Sequence, residues 1–131
     1  MEIKKQISIF LKNKPGTLAK VTESFAEKGI NILGFTVVDS IDHAVARMVV
    51  SDPVKAVHLL GDAGMLVVES DVVAIKLDNR PGRLMEISRD LAKARINIDY
   101  AYGSTPGPRG KGVIFFKLSN HKKAASILDQ Y

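Results

Sequence analysis

The chain has 131 residues, with 19 Lys and Arg against 14 Asp and Glu, a net charge of +5, and no cysteine. The missing cysteines exclude a disulfide framework, a thiol nucleophile and a thiolate metal site. No apolar run approaches the roughly 18–20 residues of a membrane span, and Met1 to Gln6 runs into strand-like sequence with no signal-peptide block, so a cytoplasmic location is expected.

Gln6 to Leu11 alternates, with Ile7, Ile9 and Leu11 on one face of a half-buried strand. Asn13-Lys14-Pro15-Gly16 is a turn in which Pro and Gly each set the backbone. Leu18, Val21 and Phe25 then follow helical spacing, and Gly29 suits a left-handed terminator. Asn31 to Ser40 and Ala44 to Val50 read as strands joined by a turn. Asp52 and Pro53 open a second helix as cap and first-turn residue, with Ala56, Val57, Leu59 and Leu60 inward. Met65 to Val68 is a fourth strand. The order β-α-β-β-α-β is the split-βαβ, ferredoxin-like unit.

The pattern then restarts. Glu69-Ser70-Asp71 reads as a break, and Val72 to Leu77 as a strand. A helix carries Leu84, Ile87 and Leu91 on one face. Ile98 to Tyr102 and Val113 to Leu118 are strands, joined by a long loop from Gly103 to Gly112. Asn120 caps a last helix holding Ala124, Ile127 and Leu128. A closing strand for this copy is missing: it is truncated, its sheet edge is open, or another segment fills it.

The two halves repeat at a fixed offset. Asn13-Lys14-Pro15-Gly16-Thr17-Leu18 returns as Asn79-Arg80-Pro81-Gly82-Arg83-Leu84, and Ile30-Asn31-Ile32 returns as Ile96-Asn97-Ile98. Polar and apolar residues holding one offset indicate duplication. Two units are expected, 1–70 and 71–131, each too small for a strong core of its own and so packed side by side. The second half is the more basic: residues 67–131 carry eleven Lys and Arg against seven acids, whereas residues 1–66 carry eight against seven.

The two-part pattern, Asn-x-Pro-Gly-x-Leu followed by Ile-Asn-Ile, resembles the ACT domain, a βαββαβ module that binds amino acids and regulates metabolic enzymes. The resemblance covers nearly the whole chain and leaves no room for a catalytic domain. It implies an α+β fold of two ferredoxin-like units, their strands joined in one antiparallel sheet with helices on one face. It also implies a non-enzymatic regulator without cofactor or metal, one that forms a homodimer, binds an amino acid and acts on a separate metabolic enzyme.

In the family the effector lies between units, against the turn of one and the second strand of the other. Carried over, one site would use Asn13, Lys14, Pro15, Gly16, Thr17 and Leu18 with Asn97, Ile98, Asp99 and Tyr100. The other would use Asn79, Arg80, Pro81, Gly82, Arg83 and Leu84 with Asn31, Ile32, Leu33 and Gly34. The chemistry is coherent. A helix start offers free N–H groups and a positive dipole end to a carboxylate, Gly admits close approach, and an Asn amide both donates and accepts. Leu11 and Leu77 stand where serine-sensing members carry histidine, which argues against serine. Thr17 against Arg83, and Leu33-Gly34 against Asp99-Tyr100, make the two sites unequal.

Structural alternatives exist for each residue. Asn13, Asn31, Asn79 and Asn97 could simply brace turns and strand entries. His43, His58 and His121 have no metal-ligand spacing. The rival function is RNA binding, since Lys111-Gly112-Val113-Ile114-Phe115-Phe116-Lys117-Leu118 partly mimics an RNP1 strand. It lacks the required pattern of exposed aromatics, so nucleic acid is not the expected partner.

Overall fold

The computed structural model describes residues 1–104 and 110–131. The part of the Gly103–Gly112 loop from 105 to 109 lies outside the described residues. The described chain is α+β, with six strands and four helices: β1 (Glu2–Lys12), α1 (Thr17–Glu27), β2 (Ile32–Asp39), β3 (His43–Val50), α2 (Pro53–Asp62), β4 (Val67–Asp78), α3 (Arg83–Lys93), β5 (Ile98–Gly103), β6 (Lys111–Leu118) and α4 (His121–Leu128).

The chain divides into a first unit, Lys5–Ser70, and a second unit, Met1–Lys4 with Asp71–Tyr131. In the first the strand order is β2-β3-β1-β4, and in the second β1-β4-β6-β5. β1 and β4 thus each serve both units with different stretches. This corrects one expectation and decides between alternatives left open by the sequence. Glu69-Ser70-Asp71 is no break, because β4 runs unbroken through it. The second unit's closing strand is supplied by the start of β1, with Met1 packed on that unit's core. Sequence periodicity had placed the first strand from Gln6; the hydrogen-bonding partner that extends it to Glu2 lies some seventy residues away.

The first core joins Ile7, Ile9 and Leu11 of β1 to Ala46 and Met48 of β3, under Val21 and Phe25 of α1 and Ala56 and Leu60 of α2. Cross-strand partners share a sheet face, and the register Ile7↔Met48, Ile9↔Ala46, Leu11↔Ala44 puts these residues on one face. The second core repeats this with Val73, Ile75 and Leu77, Ile87 and Leu91, Phe116 and Leu118, and Ala124 and Leu128. Leu84 departs from expectation. It is 52% exposed, although its counterpart Leu18 packs against the first core.

The duplication extends beyond the residues that match in sequence. The backbone N–H of Asn31 donates to Ser51 Oγ at 2.8 Å, and that of Asn97 to Ser119 Oγ at 2.9 Å. Asp52 and Asn120 cap α2 and α4 by accepting from Lys55 N and Lys123 N at 3.0 and 2.9 Å. Lys55 Nζ and Lys123 Nζ then reach back to the carbonyls of Lys28 and Ala94, at the ends of α1 and α3. Ser51/Ser119, Asp52/Asn120 and Lys55/Lys123 are 68 residues apart, against 66 for Asn31/Asn97 and Lys28/Ala94, the offset having grown by two across the β5–β6 connection.

Candidate functional site

α1 and α3 begin differently from α2 and α4. Each starts from a glycine in the left-handed region, Gly16 at φ 89° and Gly82 at φ 93°, and neither has a side-chain cap. Left-handed backbone is open to glycine and strained for other residues. The Pro-Gly pair therefore delivers the chain into the helix with its first-turn N–H groups uncovered, as an anion would need.

In the first unit this helix start opens into a cavity of about 450 Å³. Of the turn in the sequence pattern, Lys14, Pro15, Gly16 and Thr17 line it, whereas Asn13 and Leu18 do not. Four apolar residues outside that pattern complete the walls: Phe10, Leu11, Met65 and Leu66. A hydrogen bond from Phe10 N to the Leu66 carbonyl, 3.1 Å, ties two of them together. Phe10 was the legible signal, being a large aromatic out of phase with the core-facing Ile9 and Leu11. Met65 and Leu66 follow α2 and reach the turn only through the fold. Lys12 and Lys20 add two further cations to the lining.

Asn13 braces this turn: its Nδ2 donates to the Ser40 carbonyl at 3.2 Å and its backbone N–H to the Asp42 carbonyl at 3.1 Å. Thr17 Oγ1 donates to the Lys14 carbonyl at 3.2 Å. Asn31, Ile32 and Leu33 lie at the far end of β2 from Ser40, roughly 25–30 Å along an extended strand. Within the first unit they are therefore not brought to the turn. Leu33 sits at a register shift between Ile32 and Gly34 and is half exposed.

The second unit's turn is built on opposite chemistry. Lys12 and Lys20 have Asp78 and Glu86 as counterparts, and Thr17 has Arg83. Arg83 Nη1 pairs with Glu86 Oε2 at 2.6 Å, and its guanidinium stacks 5.2 Å from the Tyr131 ring centroid. Arg80 reaches Glu86 at 3.4 Å and Asp78 at 3.7 Å. The charges beside Pro81 and Gly82 are neutralised from within. At the start of β5, Asn97 Nδ2 donates to Asp99 Oδ1 at 2.9 Å, and Lys117 lies 3.8 Å from the other Asp99 oxygen. Ile98 packs against the second core, and Tyr100 stands beside Lys117 in the β5–β6 ladder.

Of the RNP1-like residues, Phe116 is wholly buried in the core, and Phe115 is 5% exposed with its ring 5.4 Å from that of Tyr102. Rings so covered are not available to stack on bases. No helix among the described residues is long and apolar enough to cross a membrane.

The structure of protein BT0572 from Bacteroides thetaiotaomicron is 34% identical over 98% of this chain and 88% of that one, with a TM-score of 0.91. The regulatory subunit of aspartate kinase from Thermus thermophilus, in ligand-free form, shares the fold at 16% identity and TM-score 0.71, over 99% of this chain and 97% of that one. Its counterpart from Thermus flavus does so at 18% and 0.68, over 98% and 93%. No curated protein matches the chain. The family model of the ACT domain pair matches residues 1–130, and the chain belongs to the ACT-domain family.

Proposed function

We propose that this ACT pair is a non-enzymatic regulator that binds a small carboxylate-bearing effector, of the amino-acid class, and modulates a separate metabolic enzyme. The observation that carries this reading is the cavity at the uncapped start of α1, where Lys14, Pro15, Gly16 and Thr17 meet the apolar wall of Phe10, Met65 and Leu66. Its volume falls in the range typical of small-molecule sites. The Thermus aspartate kinase regulatory subunits, named as regulators, lend the fold-level analogy. Of the residues carried over from the family pattern, the reading keeps Lys14, Pro15, Gly16 and Thr17 in contact with ligand. It assigns Asn13 to holding the turn. The chain acts as a cytoplasmic homodimer in this reading.

Sensing a metabolite at micromolar to millimolar level needs only about 4–8 kcal/mol of binding. A few charge-assisted hydrogen bonds and one buried side chain reach that. Thermal-shift screening of the intact chain with the twenty amino acids and their deaminated analogues tests the reading, since a ligand of the folded state raises Tm. At least one compound is expected to raise Tm in the wild type and to lose that effect in Gly16→Val, since a β-branched residue does not hold φ 89° and the turn must change shape. A flat response to the whole panel overturns the reading.

A further inference from the structure

The charge around the first-unit cavity is one-sided. Lys12, Lys14 and Lys20 line it, and no carboxylate does. Among the described residues none of the three lysines takes part in an ion pair. An α-carboxylate is well received here, by cations and by uncapped N–H groups. An α-ammonium is less well received: it would stand among three exposed like charges, with no carboxylate in the lining, so an anion is favoured over a zwitterion by local Coulomb attraction. The remaining wall, Phe10, Leu11, Met65 and Leu66, is apolar and suits a hydrocarbon body.

From this lining we infer that the first-unit site selects an apolar organic acid, a carboxylate with a branched or aromatic body and no ammonium, over the amino acid of the same carbon skeleton. The inference rests on the turn being the effector site. The effector class is then the deaminated partner of an apolar amino acid, which a transamination or oxidative deamination supplies. The second unit does not share this selectivity, because Asp78 and Glu86 replace two of the three lysines and hold Arg80 and Arg83 in ion pairs.

Calorimetric titration of the intact chain with α-ketoisocaproate, isocaproate and leucine, which share a carbon skeleton, tests it. Both acids are expected to bind several-fold more tightly than leucine. Lys14→Gln and Lys20→Gln should each weaken the acids several-fold and flatten their salt dependence, with Lys122→Gln on α4 leaving both unchanged. Leucine binding as tightly as the acids, or tighter, overturns the inference while leaving the turn as an effector site. An equal loss in Lys122→Gln also overturns it, since the attraction is then not local. Silence from all three probes overturns it too, and the amino-acid panel then decides the broader reading separately.

Discussion

Arg83 and Glu86 close a 2.6 Å ion pair across the first turn of α3, and their counterparts in α1 are Thr17 and Lys20. One duplicated backbone thus presents two different surfaces. In the first unit the turn's lysines stand beside a cavity and form no ion pair among the described residues. In the second the turn satisfies its own charges, and Tyr131 lies over the arginine.

Glu86→Gln removes the nearer of the two carboxylates that Arg80 and Arg83 share, leaving Asp78 at 3.7 and 4.0 Å. The pair is partly exposed, with Arg83 18% accessible, so the expected loss is modest, about 0.5–1 kcal/mol, visible as a lower urea midpoint at unchanged m-value. The loss should shrink at high salt. No change at low salt would mean that Asp78 and Tyr131 hold Arg83 unaided.

Tyr131 donates its hydroxyl to Asp90 Oδ2. That hydrogen bond, with partial burial and the negative charges of Asp90 and Glu86, raises the phenol from its ordinary value of 10.0 to about 12, against a small opposing pull from Arg83. A raised folded pKa means that the contribution to stability is fully present below pH 10 and is lost as pH rises through about 12. Phenolate absorbance, taken as the difference between wild type and Tyr131→Phe, should titrate near pH 12. Asp90→Asn should bring that titration down toward the ordinary value; an unmoved curve would remove Asp90 as the cause.

Arg95 has φ 57° where its counterpart Gly29 has φ 70°. Both close their helix the same way, with N–H bonds to Ala92 and Ala26, and the next residues, Ile96 and Ile30, bond back to Leu91 and Phe25. A left-handed residue with a Cβ is strained by roughly 1 kcal/mol. Arg95→Gly should therefore stabilise the protein by about 0.5–1 kcal/mol, raising Tm by a few degrees. Destabilisation would show that the Arg95 side chain contributes more than its backbone strain costs.

Removal of Met1 to Lys4 should destabilise the second unit, to which they belong, by on the order of 2 kcal/mol, through lost strand pairing and the Met1 contact with its core. Hydrogen exchange at β4 residues 71–78 should quicken in the truncated chain. Unchanged protection there would sink the role assigned to this segment.

Much of the molecule was legible because it follows from local chemistry. Period-two and period-3.6 patterning placed the helices and most of the strands, Asp52 and Asn120 announced the capped helices, and the repeated Pro-Gly turn marked the uncapped ones. The doubled Asn-x-Pro-Gly motif was enough to indicate the family and to show that the two turns differ at Thr17 and Arg83. What the sequence could not supply depends on contacts between residues far apart in the chain. Periodicity starts the first strand at Gln6, and Glu2 to Lys5 join it only because β4 lies beside them. Glu69-Ser70-Asp71 reads as a break because propensity is local and pairing is not. Phe10, Met65 and Leu66 become one wall only when strand and loop meet at the turn. The charge contrast between Lys12 and Lys20 and their counterparts Asp78 and Glu86 was written in the sequence throughout. It took the tertiary structure to place the first pair beside a cavity and the second within reach of two arginines, since the sign of a charge is a property of the residue and its partner a property of the fold.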